Sequence, residues 1–408
     1  MRIVDLFSGA GGLTFGFYYR IWGDGFARNR QNEIVFANEY DRKAAEAYRA
    51  NYPDVNMRCC DIKQLTDEEV HQMIGENTID LLIGGPPCQS FSTVGKRQFD
   101  DKAKLYTEYL RMLRTVYPKM FLFENVKGIL SMYEQVPDLN EDGSVKIDEN
   151  GKEKTKNGRL IMDILKEEFD NIGESGYAII GQETLDAQYY GIPQHRERVF
   201  IIGVRKDLMA NAKWQYPSKT HGKDRKPVLT IKDAISDLPA LAEGESKQDY
   251  TTTPQNEYQR RMRGDCTQLT HHYCGTHNEK LRKIIAAVPQ GKGKSYINEL
   301  VKKGKLPAFC ELTSGYENTY GRLEENEPST TITNNMCTPS ALRCIHYGQN
   351  RELSPREGAR IQSFPDWYTF VGERVNVTRQ IGNAVPPLLA IRLARQIEKT
   401  MEGLNVDE

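Results

Sequence analysis

In the first two hundred residues, short apolar runs alternate with helix-patterned stretches, and most runs stop at glycine, an acid or an amide. Arg2-Ile3-Val4-Asp5-Leu6-Phe7 leads into Ser8-Gly9-Ala10-Gly11-Gly12 and a helix from about Leu13. Residues 33–37 form a second run, followed by helical sequence near 43–51. The run 79–85 is cut by glycine, residues 106–116 are amphipathic, 119–123 stop at Glu124-Asn125, and 199–204 form one more run. Buried strands alternating with helices predict an α/β fold: a mostly parallel sheet, Rossmann-like, with helices on both faces. Such a sheet places ligands beyond the carboxyl ends of its strands.

Two stretches break the rhythm. Residues 137–159 are polar, with Asp142-Gly143 and Asn150-Gly151 around 144–148, the signature of a surface hairpin insert. From about Trp214 to Cys344 the alternation dissolves into polar sequence rich in Lys, Tyr and Thr. At 408 residues, the chain has room for two domains, or for one domain with a large insert. The net charge of −1 hides an asymmetry: residues 192–310 hold 22 Lys+Arg against 12 Asp+Glu, and the rest hold 33 against 44. That segment suits a polyanion. No run reaches the roughly 18 apolar residues of a membrane span, and Met1-Arg2-Ile3 opens no secretory signal. The eight cysteines are therefore expected to be free thiols in a reducing compartment. Cys266, His271, His272, Cys274 and His277 lack the paired spacing of a zinc site, so no metal is expected.

Chemistry concentrates at the ends of the runs. The glycine turn 8–12 lets main-chain N–H groups approach a ligand at a helix start, and Glu39 ends the next strand where a ribose hydroxyl would sit. Asp61 follows a third segment at a comparable place. Gly84-Gly85-Pro86-Pro87-Cys88 holds a thiol at the sheet edge on a stiffened backbone, a setting for a thiolate nucleophile. The loop 93–104 carries Gly95, Lys96, Arg97 and Lys102 and suits a lid over an anionic substrate. Glu124 at a neighbouring strand end could act as a general acid or merely cap a helix. Strand alternation puts Arg196 and Arg198 on one face, where they could hold a phosphate or neutralise a carboxylate.

The ordered set DLFSGAGG, Asn38-Glu39, Cys60-Asp61-Ile62, GGPPCQSFS, Glu124-Asn125-Val126, Gln194-x-Arg196-x-Arg198, Arg356-Glu357-x-x-Arg360-x-Gln362-x-Phe364-Pro365 and Gly382-Asn383-Ala384-Val385-Pro386-Pro387 resembles the cytosine-5 DNA methyltransferase family of bacterial restriction–modification systems. The resemblance covers about residues 3–205 and 346–395. It implies S-adenosylmethionine as cofactor, lined by Phe7, Ser8, Gly9, Gly11, Gly12 and Pro87. It puts Glu39 on the ribose, Tyr40, Asp61 and Ile62 near the adenine, and Leu105, Asn383 and Val385 around the rest. Cys88 would be the nucleophile, Glu124 the acid at cytosine N3, Arg198 a contact to the flipped base, and Arg196 a residue that orders the site. The partner would be duplex DNA, touched by Gln89, Ser92, Lys96 and Arg97, with Arg322 and Thr331 as candidate contacts in the insert.

The same resemblance divides the chain into a discontinuous catalytic and cofactor domain, 1–205 and 346–408, and a smaller, mostly irregular or β target-recognition domain, 206–345. It implies a cytoplasmic monomer acting at the same site as a cognate restriction endonuclease, without a stable complex. Three other readings fit the sequence less well. Methylation of cytosine in tRNA fits the catalytic motifs, but that branch has a smaller recognition region. A silent DNA-binding relative would not need Cys88, Glu124 and Arg198 intact, and a nicotinamide dehydrogenase does not explain the Pro-Cys segment.

Overall fold

The computed structural model describes residues 1–87 and 105–404. β1 (Arg2–Leu6) is followed by a single helical turn and a half, α1 (Thr14–Tyr18). The helix expected from Leu13 stops there because Tyr19-Arg20-Ile21-Trp22 is aromatic and β-branched. It pairs as β2 (Tyr19–Trp22) with β3 (Gly25–Arg28) across a two-residue turn in which Gly23 has φ +55°. β4 (Glu33–Glu39), α2 (Arg42–Asn51), β5 (Asn56–Cys59), α3 (Asp67–Ile74), β6 (Leu81–Gly84), α4 (Leu105–Val116) and β7 (Met120–Val126) continue the alternation. Asp41 caps α2 by accepting the N–H groups of Lys43 and Ala44, and Thr66 and Glu69 form a capping box on α3.

The polar insert is more than one hairpin. β8 (Tyr133–Pro137) and β9 (Thr155–Leu160) pair antiparallel, and between them Asp138, Lys146 and Lys154 bond in a ring. Asp138 N–H donates to Lys154 O at 2.9 Å, Lys146 N–H to Asp138 O at 2.8 Å and Lys154 N–H to Lys146 O at 2.7 Å. The two tips are equivalent turns closed by Gly143 and Gly151, both at positive φ. α5 (Ile161–Asp170), the edge strand β10 (Tyr177–Asp186) and β11 (Glu197–Arg205) complete the first body.

The sheet runs β10-β11-β7-β6-β1-β4-β5, parallel from β5 to β7, with β11 antiparallel to both of its neighbours. Alternation along each strand feeds two cores. Val4, Leu6, Leu82, Phe121 and Phe123 face α3, α4 and α5; Ile3, Leu81, Ile83, Met120 and Leu122 face α1 and the returning C-terminal helices. Those are α10 (Pro355–Ile361), α11 (Arg374–Asn383) and α12 (Pro387–Leu404).

Between the two halves of this body, regular structure is sparse. The stretch holds α6 (Ile231–Ile235), α7 (Glu257–Arg263), α8 (Glu279–Ala287), α9 (Lys294–Lys302) and β12 (Gly321–Arg322), which pairs with β13 (Arg343–Ile345). Its apolar residues divide. Ile231, Tyr258, Met262 and Ile332 join the core against the sheet, whereas Ile284, Ile285, Val288, Ile297, Cys310 and Leu312 pack with Ile345 as a separate cluster. Among the described residues no helix is long and apolar enough to cross a membrane.

Candidate active site

Strand register assembles the site. Leu6 pairs with Asn38 on one side and Gly84 on the other, and Gly84 pairs with Phe123. One residue further on, Phe7, Glu39, Gly85 and Glu124 therefore form a row along the carboxyl edge. The strand order reverses direction at β1, and that is where an open α/β sheet leaves its crevice. A surface cleft of about 500 Å³ lined by Tyr18, Arg28 and Asp54 lies instead by Glu33, Ile34 and Asn56, at the amino ends of β4 and β5. It is on the wrong edge for this chemistry.

The glycine turn is held from several sides. Phe7 adopts φ +55°, a left-handed conformation that a non-glycine residue keeps only when its surroundings enforce it. Ser8 supplies that constraint, donating to Asn38 O from its N–H at 3.1 Å and its hydroxyl at 3.2 Å. Tyr52 donates to Gly11 O at 2.6 Å, and Tyr368 donates to Ala10 O. A Cβ on Gly11 would sit 2.2 Å from the Tyr52 ring, and one on Gly12 would sit 2.5 Å from Val385 O. Glycine at these two positions lets α2 and the C-terminal return close on the turn, while a Cβ on Gly9 would meet nothing within 4 Å. Glu39 is positioned by the N–H groups of Gly9 at 2.8 Å and Asp41 at 2.7 Å. Burial raises its pKa, against the pull of those donors. An acid at a strand end beside an open glycine cradle fits the ribose of a nucleoside cofactor. Of the other residues the resemblance implies for the cofactor, Tyr40 and Asn383 are exposed, Asp61 caps the turn at buried Ile62, Pro87 and Leu105 are half-buried, and Val385 is buried.

At the other end of the row, Glu124 and Arg198 form an ion pair, Oε1 to Nε, at 3.3 Å. Phe200 pairs with Glu124 in the ladder, which puts Arg198, two residues earlier, on the same face of the sheet. Both side chains keep about one-sixth of their surface, so solvent or a ligand can reach them. Burial raises the Glu124 pKa, against the opposing charges of Arg198 and Arg196. The Asn125 side chain donates to Pro86 O at 3.2 Å and so ties this strand end to the Pro-Pro segment. Cys88, Gln89, Ser92, Lys96, Arg97 and the 93–104 loop lie outside the described residues.

Three sequence expectations change. Arg196 is not placed to hold a phosphate: it is buried, donating to Ile332 O at 2.8 Å, Gly382 O at 2.9 Å and Ala384 O at 3.0 Å. It positions the site by stitching β11, the middle stretch and the C-terminal return together. Arg322 does not face outward. Its guanidinium is buried and spent on Val288 O, His346 O, Gln349 O, Ile285 O and the Asn350 side chain. Thr331 is half-buried and donates to His195 O at 2.9 Å, bracing the junction. Gly85, Asn125, Tyr52, Tyr368 and Gln194 were given no role from sequence. Gln194 accepts from Ile332 N–H at 2.8 Å and donates to Gln362, which in turn donates to Ala384 O at 2.8 Å.

The chain is similar to known proteins along its whole length. The model of the family described as C-5 cytosine-specific DNA methylase matches residues 1–399. The chain is 34% identical to the type II methyltransferase M.DdeI of Desulfomicrobium norvegicum, over 100% of this chain and 90% of that protein. It is 31% identical to the type II methyltransferase M.AgeI of Thalassovita gelatinovora, over 98% and 99%. The fold matches a prophage-encoded E. coli protein assigned as a DNA modification methyltransferase, with a TM-score of 0.68 at 23% identity, covering 98% and 99% of the two chains. It also matches the S. pombe Dnmt2 methyltransferase, with a TM-score of 0.57 at 16% identity, over 98% and 99%.

Proposed function

Because the chain belongs to the C-5 cytosine-specific DNA methylase family, we propose that it methylates C5 of a cytosine flipped out of duplex DNA, through a covalent adduct of Cys88. It is a DNA cytosine-5 methyltransferase of the type II restriction–modification kind and uses S-adenosylmethionine. The observation that carries the finer reading is the Glu124–Arg198 pair standing in one strand-end row with Glu39 and the glycine turn. Phe7, Ser8, Gly9, Gly11, Gly12, Glu39, Tyr40, Asp61, Ile62, Pro87, Leu105, Asn383 and Val385 would hold the cofactor. Once bound, the cofactor supplies an electrophilic methyl group.

Cytosine C5 is too weak a nucleophile to take that methyl group unaided. The Cys88 thiolate adds to C6, forming an S–C bond, while the Glu124 carboxyl gives its proton to N3. The ring electrons are thereby placed on C5, which becomes enamine-like. After methylation the C5 proton passes to solvent, the S–C6 bond breaks to restore the thiolate, and N3 returns its proton to the Glu124 carboxylate. A carboxyl whose pKa burial raises is suited to carrying that proton at neutral pH. Arg198 orients this carboxyl and contacts the extruded base.

Flipping takes a few kcal/mol of unstacking, which Gln89, Ser92, Lys96 and Arg97 would offset through contacts to the strand. We assign catalysis and cofactor binding to 1–205 with 346–408, and target recognition to 206–345, a stretch overlapping the basic excess. A restriction endonuclease reading the same site is the expected companion. Transfer of labelled methyl from S-adenosylmethionine to duplex DNA tests the substrate. Incorporation into DNA but not tRNA is expected; incorporation into tRNA alone would overturn it.

A further inference from the structure

Away from this edge, three side chains with metal-binding atoms meet where the middle stretch touches the returning chain. The ligand atoms of Cys274, His277 and Glu352 lie within 4.8 Å of one another. Cys274 and Glu352 are buried, and the His277 side chain is 6% exposed. The other residues of the sequence cluster go elsewhere. His271 Nε2 lies 3.0 Å from Phe370 O, and His272 bonds Ser354 Oγ and Pro239 O.

Glu352 is held from behind. Its Oε1 accepts from Gly275 N–H at 3.1 Å and from the Arg374 guanidinium, which also donates to Cys337 O. Its Oε2 faces the other two groups, 2.7 Å from His277 Nε2 and 3.6 Å from Cys274 Sγ. His277 and Glu352 thus approach as an ion pair, yet the ring nitrogen is not aligned for a regular hydrogen bond. Ligand atoms that share one ion crowd together in this way. In a tetrahedral zinc site, bonds of about 2.0–2.3 Å put neighbouring ligand atoms roughly 3.3–3.6 Å apart. The sulfur–oxygen separation already matches, the nitrogen–oxygen pair need open by about half an ångström, and the sulfur and nitrogen lie within 4.8 Å of one another.

We propose that Cys274, His277 and Glu352 bind one zinc-type divalent cation, which staples the insert to the catalytic body. One thiolate, one imidazole and one carboxylate favour such a borderline cation over magnesium or calcium, with water in the fourth position. Gly275 and Arg374 anchor the carboxylate as outer-shell partners do. Binding replaces the Cys274 S–H proton, which passes to solvent.

The full-length protein, stripped with a chelator, should take up one equivalent of Co²⁺ and develop a thiolate-to-cobalt charge-transfer band that one equivalent of Zn²⁺ removes. Cys274→Ser should abolish the band, His277→Ala should weaken Co²⁺ binding at least tenfold, and Cys266→Ser should change neither. X-ray absorption of the zinc-loaded unmutated protein should show one sulfur at about 2.3 Å beside nitrogen and oxygen. No saturable 1:1 uptake, a band that persists in folded Cys274→Ser, or a sulfur count other than one would each overturn the site.

Discussion

The carboxylate of Glu124 occupies the space a side chain at residue 85 would need: a Cβ on Gly85 would lie 2.6 Å from Glu124 Oε2. Glycine before Pro86 therefore serves the proposed acid more than it serves the turn. In Gly85→Ala the flexible end of Glu124 yields, not the backbone, so the fold should lose little, about 1 kcal/mol. Displacing the acid should lower kcat about 100-fold. Thermal unfolding and single-turnover methyl transfer check both halves, and a variant with wild-type kcat would contradict the contact's importance.

Glu124→Gln keeps the shape and removes the proton. Methyl transfer should fall by about 10²–10⁴-fold. Cofactor binding, measured by calorimetry, should stay within twofold, because Glu39 and the glycine turn are untouched.

Arg198 opposes the effect of burial on Glu124. The proton needed at N3 is lost as pH rises through the Glu124 pKa, so kcat should decline on the alkaline side. Removing the guanidinium in Arg198→Met leaves burial less opposed and raises that pKa further. The alkaline limb should therefore move to higher pH even as kcat drops, whereas Arg198→Lys should hold the limb near its original place. A limb that moved to lower pH in Arg198→Met would count against Glu124 as the acid.

Asp5 makes a different pH prediction. It is buried under the glycine turn and accepts from Thr14, while its Oδ1 has no partner. Burial above all, with a smaller push from Glu39, raises its pKa to about 7 against the Thr14 hydrogen bond. A carboxyl raised in the folded state stabilises fully below its ordinary pKa, and that contribution is lost as pH climbs through about 7. Asp5→Asn should thus gain on the wild type at pH 8 relative to pH 5, by on the order of 2–4 kcal/mol. Urea unfolding at both pH values reads the difference, and an equal shift at the two would refute it.

The strands and their chemically loaded ends were legible because each buried run in a parallel sheet is continuous and stops at glycine or a polar residue. Register then had to bring Phe7, Glu39, Gly85 and Glu124 level, and the parallel topology did so. What escaped the sequence was non-local. Tyr52 and Tyr368 hold the turn from 41 and 358 residues away, a separation no local pattern encodes. Arg322 reads as a surface charge because nothing around it is periodic. Burial follows only once Ile285, Val288 and His346 bring their carbonyls to it. Gly23-Asp24 was the signal for the β2–β3 hairpin, and the helical reading from Leu13 passed over it.

The covalent role of Cys88 is the centre of the account. It is tested most directly by incubating the protein, S-adenosylmethionine and a duplex carrying 5-fluorocytosine at the target base. With fluorine at C5 there is no proton to lose, so the adduct cannot resolve. A denaturation-resistant protein–DNA complex should accumulate, with the methylated base mapped by mass spectrometry to Cys88 and no complex in Cys88→Ser. A complex mapped to another cysteine, or methylation of ordinary duplex DNA that survives in Cys88→Ser, would contradict it.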